Sequence, residues 1–344
     1  MSMNSQLRSV AVCVLLLVAA FLPLLVASYY VQFASKAMLM AILALSLSLV
    51  VGYGGLVSMC HAAFFGLAGY MLGFMSPEDA GATLWWSLPA AMVAVGAVAA
   101  VIGALSLRTR GIYFIMVTLA FGEMLFYLFH DTKIGGGSDG LYIYYPPELV
   151  VGGTSLLDLG NARTFYYVAL GFLLASIVLV RALVSSPFGR ALQASRDNEQ
   201  RARSLGFPVF RIRLTAFVVS AMLASVAGYF SAAQFGFVAP QMLGWHLSAT
   251  VLVMVVLGGM TSILGPIIGA IALLGLEEIL KSAIENWRLV KGLVVIAIVL
   301  LLPGGLQHLL AMVMPERAVR RARTPVDDKA PLSADAVKGV ASHG

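Results

Sequence analysis

Of the ionisable side chains in the apolar runs of this chain, His61 and Glu123 are the two whose type and placement could do chemistry. An ionisable group at the middle of a bilayer costs about 3 kcal/mol to insert, so each one is a functional candidate by default. Glu123 lies well inside the apolar run 111–129. Three readings are open for it: a wall of a translocation path, a contact with a partner protein, or a neutral carboxylic acid bonded to a neighbouring helix. His61 lies near the start of the run 58–75, beside Ser58 and a row of small residues. It is either a packed histidine that bonds a backbone carbonyl or a contact for a passing solute. Glu277 and Glu278 fall near the end of a run, where an interfacial position explains them. Covalent chemistry is not indicated. Cys13 and Cys60 sit in apolar runs as small packing residues, and no Cys/His cluster has metal-ligand spacing. The phosphate-cradling pattern G-x-x-x-x-G-K-[ST] does not occur, nor does a nucleophile elbow or a zinc-protease motif. The chain is expected to hold no cofactor and no metal, and any nucleotide hydrolysis must come from another polypeptide.

A second concentration of chemistry is polar. The stretch Ser186-Pro187-Phe188-Gly189-Arg190-Ala191-Leu192 leads into Asp197-Asn198-Glu199-Gln200-Arg201-Ala202-Arg203-Ser204-Leu205-Gly206-Phe207-Pro208. Asp197 with Gln200 three residues later predicts a capping box, Gly206 suits a left-handed C-terminal position, and Pro208 prevents continuation. Between them fits a helix of about two turns, roughly 12 Å long. That is too short and too polar to cross a membrane. The arginines around it could merely set topology and touch anionic headgroups; the defined start and stop favour a rigid docking element.

These residues need a scaffold, and composition names its solvent. Of 344 residues 60% are hydrophobic and only 11% charged, too few to cover a water-facing surface, and mean hydropathy is +0.93. Runs of about 20 apolar residues, the length that crosses about 30 Å of hydrocarbon, recur. They lie near 9–28, 37–54, 58–75, 86–107, 111–129, 164–184, 212–233, 246–260, 263–280 and 289–310. The expected fold class is therefore an all-α integral membrane protein of about ten transmembrane helices. The first run is long for a signal-peptide core and more spans follow it, so it reads as a helix. Glycine-rich breaks near 52–58 and 258–265 suit re-entrant or broken helices. The two breaks also resemble each other, Gly54-Gly55-Leu56-Val57-Ser58 against Gly258-Gly259-Met260-Thr261-Ser262, as a diverged repeat or by chance. With both termini cytoplasmic, sixteen of the 22 basic residues fall on the inner side, as the positive-inside rule requires; their clustering in loops and tail argues against nucleic acid. The membrane-spanning region is 1–312, with an inner loop at 185–211 and an outer loop at 130–163; the charged tail 313–344 reads as solvated and disordered. Within the outer loop, Gly136-Gly137-Ser138-Asp139-Gly140 makes a turn or, with Ser138 and Asp139, a contact for a binding protein. The row Gly66, Gly69, Gly73 allows close helix packing.

The chain resembles the LivM-like permease subunits of branched-chain amino-acid ABC importers from about residue 37 to 305. The matching stretches are Gly52-Tyr53-Gly54-Gly55-Leu56-Val57-Ser58, His61-Ala62-Ala63-Phe64-Phe65-Gly66, Arg110-Gly111-Ile112-Tyr113-Phe114 and Val117-Thr118-Leu119-Ala120-Phe121-Gly122-Glu123. Gly136-Gly137-Ser138-Asp139-Gly140-Leu141, the inner loop, and Leu257-Gly258-Gly259 followed by Gly265-Pro266 continue the match. Their order and spacing carry the resemblance; any one is weak. It implies that Pro187, Gly189, Arg190, Asp197, Glu199, Ala202 and Gly206 belong to the loop that couples to an ATPase, the spacing of Ala202 and Gly206 being similar to that of ABC permeases. It also implies that Ser58, His61, Thr118, Glu123 and Thr250 border the translocation path or a permease interface. Four positions depart from the pattern: Cys60 for glycine, Thr250 for a frequent glutamate, Thr261 for glycine, and Gln200-Arg201-Ala202 for Glu-Ala-Ala. They put the cargo in question rather than the fold.

The implied function is a non-enzymatic, multi-pass permease subunit in the bacterial inner membrane, moving branched-chain amino acids inward by alternating access. Its implied partners are a second homologous permease, two ABC ATPase subunits, a periplasmic solute-binding protein and the lipid bilayer. Urea, short amides or aromatic acids are alternative cargoes of the same class. A stand-alone secondary transporter or channel, with Glu123 and His61 as a proton site, is the rival from another class. An integral-membrane enzyme is a third, and the scattered single charges argue against it.

Overall fold

The computed structural model describes residue 23 and residues 26–306, apart from 78–80, 152–153, 158, 261, 284 and 302–304. The expected first span at 9–28 and the tail 313–344 therefore lie outside the described residues, save for residues 23 and 26–28 of that span. In chain order the helices are α1 (Ser28–Ser48), continued by a π-helical turn Leu49–Tyr53, then α2 (His61–Met75), α3 (Leu84–Ser106) and α4 (Ile112–Asp131). They continue as α5 (Ala162–Ser185), α6 (Pro187–Asp197), α7 (Glu199–Ser204), α8 (Val209–Phe235), α9 (Trp245–Gly258), α10 (Gly265–Ala283) and α11 (Trp287–Leu301).

Burial sorts these helices into a centre and a shell. The most apolar windows of α1 with its π turn and of α8 are 83% buried, against 39% for α3 and 22% for α4 and α5. Helices apolar all round belong inside a protein or across a membrane, and α1 and α8 do both jobs at once. Six helical stretches among the described residues are long and apolar enough to cross a bilayer: Ser28–Tyr53, α3, α4, α5, α8 and Pro240–Gly258. The apolar α2 is shorter, at 15 residues, and starts at His61, not at 58 as the run suggested. Ten crossings are thus more than this measure of length and composition supports.

Small residues set how closely these rods approach. Gly228 of α8 lies directly against the backbone of Phe65 in α2, with no room for a Cβ. Gly69 faces Ala232 of α8 and Val238, while Gly66 and Gly73 face Leu243 and Leu141. The glycine row therefore receives both a helix and the chain segment beyond it. Gly258 and Gly269 bring α9 and α10 into backbone contact in the same way.

The structure is nearly, but not wholly, helical. β1 (Leu141–Tyr142) pairs antiparallel with β4 (Phe237–Val238), in register Leu141↔Val238, and β2 (Leu149–Val151) pairs with β3 (Thr154–Leu157). The segment 136–147 carries Gly136, Gly137, Gly140, Pro146 and Pro147, which cannot sustain a helix, so its backbone groups find partners in short ladders. Replacing Gly228 by Val should cost at least about 1–3 kcal/mol through overpacking against Phe65. Gly171→Ala in α5, with nothing within 4 Å of the added carbon, should be neutral or stabilising by up to about 1 kcal/mol. Unfolding midpoints in detergent would compare the two.

Candidate functional site

Between Tyr53 and His61 the chain leaves the helix inside the protein, and the exposed backbone groups there must find partners. Two helices and the break itself supply them. Thr118 of α4 accepts the Met59 N–H at 3.2 Å, and Ser248 of α9 accepts the Ala62 N–H at 3.0 Å. Ser58 accepts the Cys60 N–H at 3.3 Å. His61 closes the set, with Nδ1 3.2 Å from the Ser58 hydroxyl and Nε2 2.7 Å from the Ser220 hydroxyl of α8. The Ser220 hydrogen goes to the Ser46 carbonyl at 2.5 Å, so Ser220 must accept from Nε2–H and Nδ1 must accept from Ser58. The ring is thereby fixed as one neutral tautomer. Ser46, Ser58, His61, Thr118 and Ser220 are fully buried. The packed form of His61 expected from sequence is thus reached through hydroxyls, with the backbone carbonyl of Ser46 one step further on.

The second glycine-rich break is built alike. Gly55 (φ +67°) and Gly259 (φ +115°) both occupy backbone space that favours glycine, and each is followed three residues later by a serine whose hydroxyl accepts the N–H two residues on, just before the next helix. Ser262 accepts the N–H groups of Leu264 at 3.2 Å and Gly265 at 3.1 Å. The similarity of the two stretches therefore extends to their local chemistry. Thr261 lies outside the described residues.

The 185–211 loop holds two helices where one was expected. Ser186 caps α6, accepting from Gly189 N–H at 3.3 Å, with Pro187 in its first turn. Asp197 is not a cap: it is the last residue of α6, and Asn198, extended at φ −156°, accepts the Arg201 N–H at 2.9 Å to open α7. A capping side chain must stand outside the helix, and only Asn198 has left it. Gly206 (φ +83°) ends α7 as expected. One face of α6, with Ala191 and Leu192, packs on Tyr53, Ile212 and Ala216. Arg196 donates to the Gly52 carbonyl, and its stem lies against Gly55. The loop is therefore fastened to the end of α1, where the central break begins.

Glu199 faces inward. Its carboxylate meets Arg110 at 3.1 Å, Arg203 at 2.6 Å and Arg213 at 3.1 Å. Arg213 also donates to the Ser195 carbonyl at 2.7 Å, tying α8 to the last turn of α6. Burial pushes the Glu199 carboxyl up, but the guanidinium groups of Arg213, Arg110 and Arg203 outweigh it and hold it below its ordinary value of 4.5. Gly189 and Ala202 are buried, whereas Pro187, Arg190, Asp197 and Gly206 are exposed. Among these exposed polar groups the loop also presents large apolar side chains, with Leu205 69% exposed and Phe207 and Phe210 at 40% and 43%.

Elsewhere, Glu123 of α4 accepts the N–H of Trp245, the first residue of α9, at 3.1 Å. Thr250 spends its hydroxyl on the His246 carbonyl at 2.8 Å. Ser138 and Asp139 sit exposed in a 3-10 turn, bonded to each other at 3.2 Å. The structure joins Ser58, His61 and Thr118 in one cluster and leaves Glu123, Thr250 and the Ser138–Asp139 turn outside it. Among the described residues no group of three or more His, Cys, Asp or Glu could hold a metal.

A family model described as "Branched-chain amino acid transport system / permease component" matches residues 29–300, most of the chain. The protein belongs to this permease family. The high-affinity branched-chain amino acid transport system permease protein LivM of Salmonella typhimurium is 33% identical over 311 residues, covering 85% of this chain and 73% of the relative. LivM of Escherichia coli K12 is 34% identical over the same shares. The autoinducer 2 import system permease protein LsrC of Escherichia coli O157:H7 is 32% identical over 176 residues, 48% of this chain and 51% of its own. No solved structure matches.

Sequence reading of this permease missed Ser220, Ser248 and Arg213. Serines in apolar helices and arginines at helix starts carry no local mark of a partner up to 186 residues away. Removing the Ser220 hydroxyl (Ser220→Ala) leaves the buried His61 Nε2–H unpaired and should cost about 1–3 kcal/mol, read as a lower unfolding midpoint. Because the Glu199 carboxyl is depressed on folding, its stabilisation is complete above 4.5 and is lost as pH falls through the lower folded value. Acidification from about pH 5 to about pH 3 should therefore loosen α6 and α7, seen as faster amide exchange over residues 195–213. Glu199→Gln should flatten that pH dependence.

Proposed function

We propose that this permease component is the membrane-spanning subunit of an ATP-driven importer that moves branched-chain amino acids or related small solutes inward. It pairs with a second homologous permease, below a solute-binding protein and above two ATPase subunits, with both termini cytoplasmic and about ten helices crossing the bilayer. The region 1–312 is the permease domain and 313–344 a cytoplasmic tail. The chain performs no covalent chemistry; ATP is hydrolysed by its partners.

One observation carries the mechanism: the 185–211 loop is tied to the broken helix at the centre of the fold. Arg196 holds the Gly52 carbonyl, and the Ser58–His61–Ser220–Ser46 chain begins a few residues further on. Arg213 and Glu199 bind the same loop to α8 and to the α3–α4 connection. A push on α6 and α7 therefore reaches α1, α2 and α8 through polar contacts that have defined geometry, not through soft packing. Pro187, Arg190, Asp197 and Gly206, with Leu205, Phe207 and Phe210, form the face offered to the ATPase. Gly189, Glu199 and Ala202 shape the loop from behind. Ser58, His61 and Thr118 hold the break together, and the wall of the path lies nearer Glu123 and Thr250. Ser138 and Asp139 meet the binding protein. The partial likeness to the autoinducer 2 permeases supports, as a second reading, a cargo other than an amino acid.

Reconstitution with the second permease, the ATPases and the binding protein should give uptake that depends on ATP. Leu205→Glu should leave membrane insertion intact and abolish copurification of the ATPases. Solute movement by the single chain alone, driven by an ion gradient, would replace the importer by a secondary transporter.

A further inference from the structure

Glu123 is the twelfth of twenty residues in α4, about 17 Å along a helix about 30 Å long, and so sits near mid-membrane. Trp245 lies at the same depth, because its N–H reaches the Glu123 carboxylate at 3.1 Å. α9 thus starts in the middle of the bilayer and runs 14 residues, about 21 Å, from there.

One Glu123 oxygen caps α9. Among the described residues no cation pairs with the carboxylate, and no other hydrogen bond to it is made. The side chain is half-buried, flanked on α4 by the exposed Ala120, Met124 and Tyr127. A part-exposed carboxylate at mid-depth does not face lipid tails; it borders water or a polar partner. Beside it the Trp245 indole is 44% exposed and stacks on the exposed His246 at 3.9 Å between ring centroids. A carboxylate with unused lone pairs, bonded to the backbone of a part-exposed tryptophan, is the chemistry that recognises an ammonium group, by a charge-assisted hydrogen bond and, where the indole turns to it, by cation–π attraction.

We propose that Glu123 is the contact for the ammonium group of the transported solute, on a water-accessible wall formed by α4 and the start of α9. The proposal rests on the importer reading above. It goes further by naming the group on the cargo and the residue that reads it. Without solute, the carboxylate rests on the Trp245 N–H. When an amino acid arrives, the free oxygen takes its ammonium and Trp245 covers it, so cargo binding and the start of α9 share one side chain.

The test uses the reconstituted complex. Glu123→Gln keeps an acceptor for the Trp245 N–H and loses the charge, so it should assemble and lower amino-acid uptake about tenfold or more. Uptake at the wild-type rate by an assembled Glu123→Gln complex overturns the proposal. A measurement on the unaltered sequence guards against misassembly: labelling of Glu123 by dicyclohexylcarbodiimide, read by peptide mass spectrometry. The amino acid that the complex transports fastest should protect Glu123, and its 2-oxo acid, of the same skeleton without the ammonium, should not. Equal labelling with and without the amino acid overturns the proposal. ATP-driven uptake confined to solutes without an ammonium overturns it too and leaves the importer reading standing, whereas no ATP-driven uptake at all sinks the importer reading itself.

Discussion

Inside a bilayer a backbone N–H has no water to turn to, and an unpartnered one costs several kcal/mol. This chain interrupts a helix within its own core, between Tyr53 and His61, and the rest of the structure is arranged around meeting that demand. Thr118, Ser248 and Ser58 take the freed N–H groups, and His61 bridges Ser58 to Ser220 and, through it, to the Ser46 carbonyl. Apart from Ser58, which lies in the break itself, each partner comes from a different helix, so α1, α2, α4, α8 and α9 meet at the break. The glycine contacts serve the same end, since Gly228 brings α8 close enough to α2 for Ser220 and His61 to meet.

A broken helix so held is rigid at its partners and adjustable at its glycines. Gly52 and Gly55 sit where Arg196 arrives from α6, and Gly52 also abuts the backbone of Met260 in the second break. The two glycine-rich breaks and the polar loop thus converge on one small region. The ion cluster on Glu199 reinforces this convergence: three guanidinium groups from α7, α8 and the α3–α4 connection share one carboxylate. A charge cluster of that kind fixes orientation more than it adds stability, since each pair still has access to solvent.

The chain belongs to the permease family. Polar residues inside it fall into two kinds. Those of the central cluster are buried and paired with one another. Glu123 and Thr250 lie instead on part-exposed faces of α4 and α9, where a second protein or water must complete their surroundings.

Much was legible in the sequence alone. Composition fixed the solvent, apolar runs located α3, α4, α5, α8 and α9 to within a few residues, and Gly206 and Pro208 marked the end of the short inner helix because stops act through neighbouring backbone. The family could be read from the order of its motifs. Tertiary structure alone decided which member of a local set did the work: Asn198 rather than Asp197 caps α7, because only one residue can leave the helix before it. It also turned Glu199 inward, buried Ala202, and left Leu205 and Phe207 as the exposed face. Most of all it decided the partners of His61 and Glu123. Ser220 lies 159 residues from the histidine and Trp245 122 residues from the glutamate, and such contacts are set by how helices stack, not by any signal along the chain.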